Sequence, residues 1–348
     1  MARPDVTVMG AGILGLSAAW ACAVRGARLR IVEARYPGAG ASGGTVGALA
    51  PHVPDPWNPK KALQLRSLLM AEAFWAEIAE LSGQDPGYAR TGRLQPLADA
   101  AALARARDRQ MAAARHWGAA AVWRVAPAAE FGAWAPDSPS GYVIHDTLTA
   151  RIAPRRAVAA LAAALAARGV VIEPGTAPPD ADGPVIWATG VAGLAALPAA
   201  PGRPAGQAVK GQSALLRHDA RDLPQIGAEG LHVVPHGDGT VAVGSTSENA
   251  FEDAAATDAL LEDRIAAARA LCPALADAPV IARWAGLRPR ARSRAPMLGP
   301  WPGRPGHHVL NGGFKIGFGL APVLGEMAAD IVLDGAEAPD WMRVEASL

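Results

Sequence analysis

The stretch VTVMGAGILGLSAAWACAVRGARLRIVEA (residues 6–34) decides the fold. Asp5–Met9 is apolar and β-branched and predicts a short buried strand. Gly10, Gly12 and Gly15 follow in G-x-G-x-x-G spacing, and Leu16–Arg25 has the composition of a helix stopped by Gly26. Leu29–Val32 is a second strand, ending at Glu33. Strand, glycine turn, helix and strand make a β-α-β unit of ~30 residues. In such a unit Gly10 permits the tight turn, Gly12 lets a pyrophosphate approach the backbone, and Gly15 lets helix and strand pack closely. The helix N-terminus offers unpaired N–H groups to phosphates, and Glu33 can accept from ribose hydroxyls while repelling a 2′-phosphate. The constellation predicts a Rossmann-type α/β unit that binds a dinucleotide; alone, it suits NAD as well as FAD.

Further along, residues 38–48 read GAGASGGTVGA. A nicotinamide enzyme has no obvious need for so long a glycine-rich loop here. An isoalloxazine ring and ribityl chain do, because they require close backbone approach and N–H donors; the alternative is a flexible surface loop. Trp187-Ala-Thr-Gly190 closes the expected strand Pro184–Trp187 with small residues, suited to passing near the same cofactor. Asn311–Pro322 (NGGFKIGFGLAP) runs small residues into a closing helix over Ala321–Leu333, and a helix N-terminus there can face an electron-rich flavin edge. Trp284–Pro296 carries Arg288, Arg290, Arg292 and Arg294. An arginine fork matches a carboxylate bidentately. Arg288, between Leu287 and Pro289, is expected to be partly buried; the other three read as a solvated loop. Of 33 basic residues only Lys60, Lys61, Lys210 and Lys315 are lysines, so each lysine is informative, although Lys315 also fits a surface position.

The remaining pattern predicts helices over Ala62–Leu81, Asp99–His116, Ala157–Arg168 and Thr257–Leu271. Strands are expected at Val170–Glu173 and Gln212–Leu216, and a hairpin about His236–Gly239 within Leu231–Ser245. At 348 residues the chain has room for two domains. A net charge of +1 gives no electrostatic reason to bind nucleic acid. Cys22 and Cys272 offer neither a disulfide framework nor a metal pair, and the scattered histidines lack ligand spacing, so no metal is expected. No apolar run approaches the ~20 residues of a membrane span, and the short Arg-containing lead lacks the order of a signal peptide. A cytoplasmic protein is expected. There is no GxSxG elbow. Trp57, Trp75, Trp284 and Trp301 read as packing residues.

Taken together, the pieces VTVMGAGILGLSAAW…IVEA, ASGGTVGAL, GLHVVPHGDGTVAVGST, WAGLRPRARSRAPMLG and NGGFKIGFGLAP resemble, in this order, the D-amino acid oxidase-like (DAO) family of FAD-dependent oxidoreductases, nearest its glycine oxidase and sarcosine oxidase branch. The resemblance covers nearly the whole chain. It implies a discontinuous Rossmann-type FAD-binding domain (1–84, 147–200 and 283–348) and an inserted substrate domain (85–146 and 201–282) with a mixed or antiparallel sheet. It places Ile13 and Leu14 at the pyrophosphate turn, Glu33 and Ala34 at the adenosine, and Ala177 at the adenine. Ala41, Ser42, Val46, Gly47 and Ala48 fall beside the flavin. Gly313, Phe314, Lys315, Ile316, Gly317, Phe318 and Gly319 fall at its pyrimidine edge.

Arg288 is implied as the substrate-carboxylate ligand, and Lys315 stands where that branch has a second arginine. His232 replaces a frequent tyrosine, so the pocket is not the standard glycine one. No cysteine aligns with the attachment point of covalent flavins, so non-covalent FAD is expected. The implied reaction is oxidation of the C–N bond of an amino acid or related amine by hydride transfer to flavin, with oxygen or another acceptor taking the electrons; His52 and His232 are the candidates for proton handling. Two alternatives stay open: a dehydrogenase passing electrons to a quinone or protein carrier, and an RNA-modifying flavoprotein domain. Substrate, stereochemistry and oligomeric state are left open.

Overall fold

The computed structural model describes residues 5–178 and 183–348; the lead at 1–4 and residues 179–182 of the Pro- and Asp-rich loop lie outside the described residues. In chain order the elements are β1 (Val6–Met9), α1 (Ile13–Val24), β2 (Leu29–Glu33), β3 (Ala48–Leu49), α2 (Pro59–Ser82), β4 (Arg93–Pro96), α3 (Ala100–Trp117) and β5 (Trp123–Pro127). There follow β6 (Tyr142–Asp146), β7 (Ala150–Arg151), α4 (Pro154–Ala167), β8 (Val171–Pro174), β9 (Val185–Trp187), α5 (Gly190–Ala196), β10 (Gly206–Arg217) and β11 (Gln225–Ala228). The chain ends with β12 (Leu231–Pro235), β13 (Thr240–Gly244), α6 (Ala259–Leu271), β14 (Val280–Ala291), β15 (Met297–Pro300), β16 (His307–Asn311) and α7 (Gly317–Asp334).

Two large sheets organise these elements. The first has the order β15-β16-β9-β1-β2-β8, parallel except where β15 turns back on β16. The VTVM of β1 is buried on both faces, as a central parallel strand must be. Helices α1, α2, α4 and α7 share one apolar cluster with this sheet. A Cβ on Gly325 of α7 would lie 2.5 Å from the Ser17 carbonyl oxygen of α1, so the absent side chain sets how closely the two helices approach. The second sheet, β14-β10-β13-β12-β11-β4-β6-β5, is antiparallel except at β11–β4; α6 packs on it over a separate core of Val233, Val243, Leu261, Ile265 and their neighbours.

The expected helices are present, with starts that periodicity misses. α2 begins at Pro59 because Asn58 accepts from Lys61 N at 3.1 Å and proline suits the first helical position. α4 likewise opens on Pro154, and α7 begins at Gly317, earlier than the expected Ala321, a start that periodicity misses because glycines interrupt the apolar spacing. The His236–Gly239 turn joins β12 to β13 as a hairpin. One reading, that of the arginine run as a loop, needs correction. Position 283, expected to open the last cofactor-domain segment, lies inside β14, which stays paired to β10 as far as Ala291 with Gly206. Arg290 is therefore not in a loop: it is half-buried in that strand and donates to Asn249 Oδ1 at 2.9 Å. Arg292 is also half-buried, bonded to the Arg203 and Leu348 carbonyls, while Arg294 is exposed. Of the tryptophans, Trp75 and Trp301 are core residues, Trp57 stacks on His116, and Trp284 faces the glycine loop.

Candidate active site

The glycine turn after β1 is held from three sides. Gly10 has φ +101°, and a Cβ there would lie 2.6 Å from the Ala188 carbonyl oxygen. A Cβ on Gly15 would overlap the Gly10 carbonyl oxygen. Gly12, the N-cap of α1, has no side-chain cap of its own; instead Ser42 Oγ accepts from Ile13 N at 3.0 Å, and Glu33 Oε2 accepts from Ala11 N at 2.7 Å. The Leu14 N–H takes no partner among the described residues, leaving a donor at a positive helix end. Glu33 keeps acceptor capacity at the end of β2. Ala34 is exposed just after it, and exposed Ala177 follows Gly175, whose N–H bonds the Glu33 carbonyl at 3.0 Å. Gly-lined backbone, a free helix N-terminus and an acid at the next strand end form a cradle that fits the pyrophosphate and ribose of FAD.

The loop carrying Ala41, Ser42, Val46, Gly47 and Ala48 returns from this turn to the second sheet. Gly47 has φ +65°, and a Cβ there would overlap the Ile152 carbonyl oxygen. Thr45 Oγ1 bonds Ser213 Oγ at 2.8 Å, and buried His236 Nε2–H donates to the Thr45 carbonyl at 3.0 Å. A cavity of about 410 Å³ opens beside the loop, lined by Tyr36, Gly38, Ser42, Gly43, Arg155 and Trp284 among others. The C-terminal segment meets the turn from the other side. A Cβ on Gly313 would lie 3.2 Å from Leu14 Cδ1, and one on Gly317 would lie 3.8 Å from Ile13 Cγ2. The N-termini of α1 and α7 therefore converge. Gly190 opens α5, and its carbonyl accepts from Asn311 Nδ2 at 2.8 Å. Ile316 caps α7, and Phe318 lies in its first turn.

Register brings the remaining groups together. Gly227, His232, Gly244, Ser213 and Trp284 are successive cross-strand partners over β11, β12, β13, β10 and β14. Directly paired residues point to one face of a sheet, so this row is a floor of small residues interrupted by one imidazole and one indole. Two side chains enter over its glycines: Arg93 Cδ occupies the space beside Gly227, and Val46 Cγ2 that beside Gly244. Arg93, unmarked in the sequence, is buried and ion-paired at 3.0 Å with fully buried Asp146.

Arg288 is on the same face as Trp284, four residues along β14. Its guanidinium lies over Gly211, where any Cβ would overlap it, and Nη1 donates to the Thr246 carbonyl at 3.1 Å. Burial lowers its pKa to about 10, against the charge of Glu248. It forms no ion pair among the described residues, so most of its donors are unspent. Phe314, left-handed at φ +42°, donates its N–H to the Pro289 carbonyl at 3.2 Å, which ties the Lys315 turn to the Arg288 strand. Lys315 is exposed as a residue, yet partial desolvation of its ammonium and the charges of Arg288, Arg264 and Arg290 lower its pKa.

Burial, and then the Arg93, Lys315 and Arg288 charges, push the His232 pKa down to about 4 from the usual 6.5. The structure therefore brings Arg288, Lys315 and His232 together and adds Arg93. His52 is exposed and holds Gln64 Oε1 at 2.6 Å through Nδ1; it follows Pro51, whose carbonyl accepts from Arg93 Nη2 at 3.3 Å. His232 is neutral at physiological pH, an acceptor or donor without charge. We expect its NMR titration midpoint to fall near 4. Because the unfolded chain takes up this proton first, the stability linked to His232 is complete above pH 6.5 and declines as pH falls toward 4. Denaturation at pH 7 and 5 should show that decline, and His232→Gln should reduce it; a midpoint near 6.5 would refute the assignment.

The family model described as "FAD dependent oxidoreductase" (DAO) matches residues 5–331. Glycine oxidase of Pseudomonas aeruginosa is 38% identical over 125 residues, a match spanning 36% of this chain and only 34% of that protein. Glycine oxidase of Geobacillus kaustophilus is 27% identical over 95% of this chain and 93% of its own length. A crystal structure of glycine oxidase from Geobacillus kaustophilus superposes with a TM-score of 0.82 at 23% identity, covering 97% of this chain and 96% of that one, which establishes the fold.

Proposed function

The chain belongs to the DAO family of FAD-dependent oxidoreductases, and from that premise we propose that it oxidises the C–N bond of a small amine or amino acid that carries a carboxylate. The observation that carries this reading is the buried Arg288 guanidinium, paired to no acid among the described residues and set on the same face as His232. An ionised guanidinium in that position binds a carboxylate by two charge-assisted hydrogen bonds. FAD, when bound, supplies the two-electron acceptor for the hydride leaving the substrate carbon. The chain contributes placement: Arg288 anchors the carboxylate and Lys315 adds positive potential. Neutral His232 leaves the amine free of a competing charge. Holding donor and acceptor at near-attack distance accounts for much of the expected acceleration.

FAD contacts are assigned to the glycine turn, Glu33, the Ala41–Ala48 loop and the Gly313–Gly319 segment. Non-covalent FAD suits the two cysteines, both buried in apolar clusters where burial pushes their thiols up to about 12 and about 11. The proposed cofactor domain comprises residues 1–84, 147–200 and 283–348, and a cytoplasmic location remains part of the proposal. Among the described residues no helix is long and apolar enough to cross a membrane.

The test is a spectrum of the purified protein after FAD loading, followed by an anaerobic screen of amines and amino acids. Bleaching of the flavin absorption by a carboxylate-bearing amine supports the reading, and peroxide release on admitting air identifies oxygen as acceptor. A protein that takes up no FAD, or whose flavin no amine reduces, refutes it.

A further inference from the structure

On the sheet face opposite Arg288 lies an ionic cluster in which Lys210 and Glu248 are enclosed and Asp258 reaches the surface. Lys210, its side chain 3% exposed, places Nζ 3.0 Å from Asp258 Oδ2 and 3.6 Å from Glu248 Oε2. The same two segments exchange main-chain bonds, Lys210 N to the Glu248 carbonyl at 3.0 Å and Glu248 N to the Lys210 carbonyl at 2.9 Å. Gln212 Nε2 donates to both acids, at 3.0 Å to Glu248 and 2.8 Å to Asp258. The Thr246 hydroxyl donates to Glu248 while accepting from Gln212 N at 2.8 Å. Thr246 is the residue whose carbonyl holds Arg288. The cluster thus sits one residue's thickness from the guanidinium.

We propose that Lys210 is an electrostatic positioning residue that offsets one of the two negative charges of Glu248 and Asp258 from behind the sheet and so keeps Arg288 available to an anionic ligand. Two carboxylates against one buried ammonium leave no spare positive charge, so removing Lys210 exposes Arg288, and any carboxylate bound to it, to an uncompensated negative field. Charges across a strand are poorly screened compared with charges in water.

This inference rests on Arg288 being the carboxylate ligand, and the experiment separates the two. Acetate is titrated calorimetrically into FAD-loaded protein. Binding to the natural sequence and its loss in Arg288→Ala establish the ligand role; if the natural sequence does not bind acetate, that role falls and this proposal with it. Given that binding, Lys210→Met should weaken acetate about tenfold or more, and Lys210→Met/Glu248→Gln should restore it to within about threefold. A purely structural lysine would not be rescued by removing a second charge. Glu248→Gln alone should bind acetate at least as tightly as the natural sequence, which keeps the test decisive should Lys210→Met fail to fold. Unchanged binding in Lys210→Met, a double variant as weak as the single, or weaker binding in Glu248→Gln would each overturn the proposal.

Discussion

Arg288→Ala is expected to raise the KM for a carboxylate-bearing amine by about a hundredfold or more, with FAD still bound. The guanidinium is the buried cation with unspent donors on the floor of the site, and its slot is built for it: Gly211 yields the space and Thr246 supplies one fixed acceptor. Truncation removes the anchor without opening the glycine cradle, which belongs to the other sheet. Arg288→Lys should recover only part of the loss, since an ammonium lacks the bidentate fork and is shorter. Steady-state kinetics with the flavin spectrum recorded alongside decide the matter. An unchanged KM, or FAD lost together with activity, contradicts the assignment.

The second large effect concerns two glycines in one turn. Gly15→Ala is expected to destabilise the protein by about 3 kcal/mol or more, because the new Cβ would overlap a backbone oxygen, that of Gly10, which no rotamer change can relieve. FAD should be lost along with the fold of the turn. Gly12→Ala should behave differently. Its nearest neighbour would be Ser42 Oγ at 3.3 Å, and its φ of −79° suits alanine, so the protein should fold with nearly its normal thermal midpoint. With the pyrophosphate at the glycine turn, as proposed, the added methyl stands in its way, and FAD affinity should fall by about a hundredfold. Thermal unfolding of the apoprotein and FAD titration separate the two variants. Equal stability loss in both would mean that Gly12 serves packing only.

Much of the fold is legible in the sequence. The β-α-β unit, the hairpin at His236–Gly239 and the helices follow from spacing over a few residues, because each is stabilised by contacts within its own segment. Helix starts at Asn58-Pro59 and Pro154 were also present as capping signals, though periodicity alone passed over them. Lys210 was marked only by being one of four lysines, with nothing to say what it meets. Arg93 and Asp146 carried no signal, since their ion pair joins strands 53 residues apart.

What the sequence by itself determined is the cofactor cradle: glycines at 10, 12 and 15, an acid at 33 and a small-residue loop act through backbone they carry with them. What only the tertiary structure decided is the proposed substrate face. Whether Arg288, His232, Lys315 and Arg93 meet depends on the register of β14 on β10, of β10 on β13 and of β12 on both β13 and β11. A slip of one residue in any of those pairings would turn a side chain to the opposite face. That choice is made by the packing of two whole sheets, and no local stretch of sequence contains it.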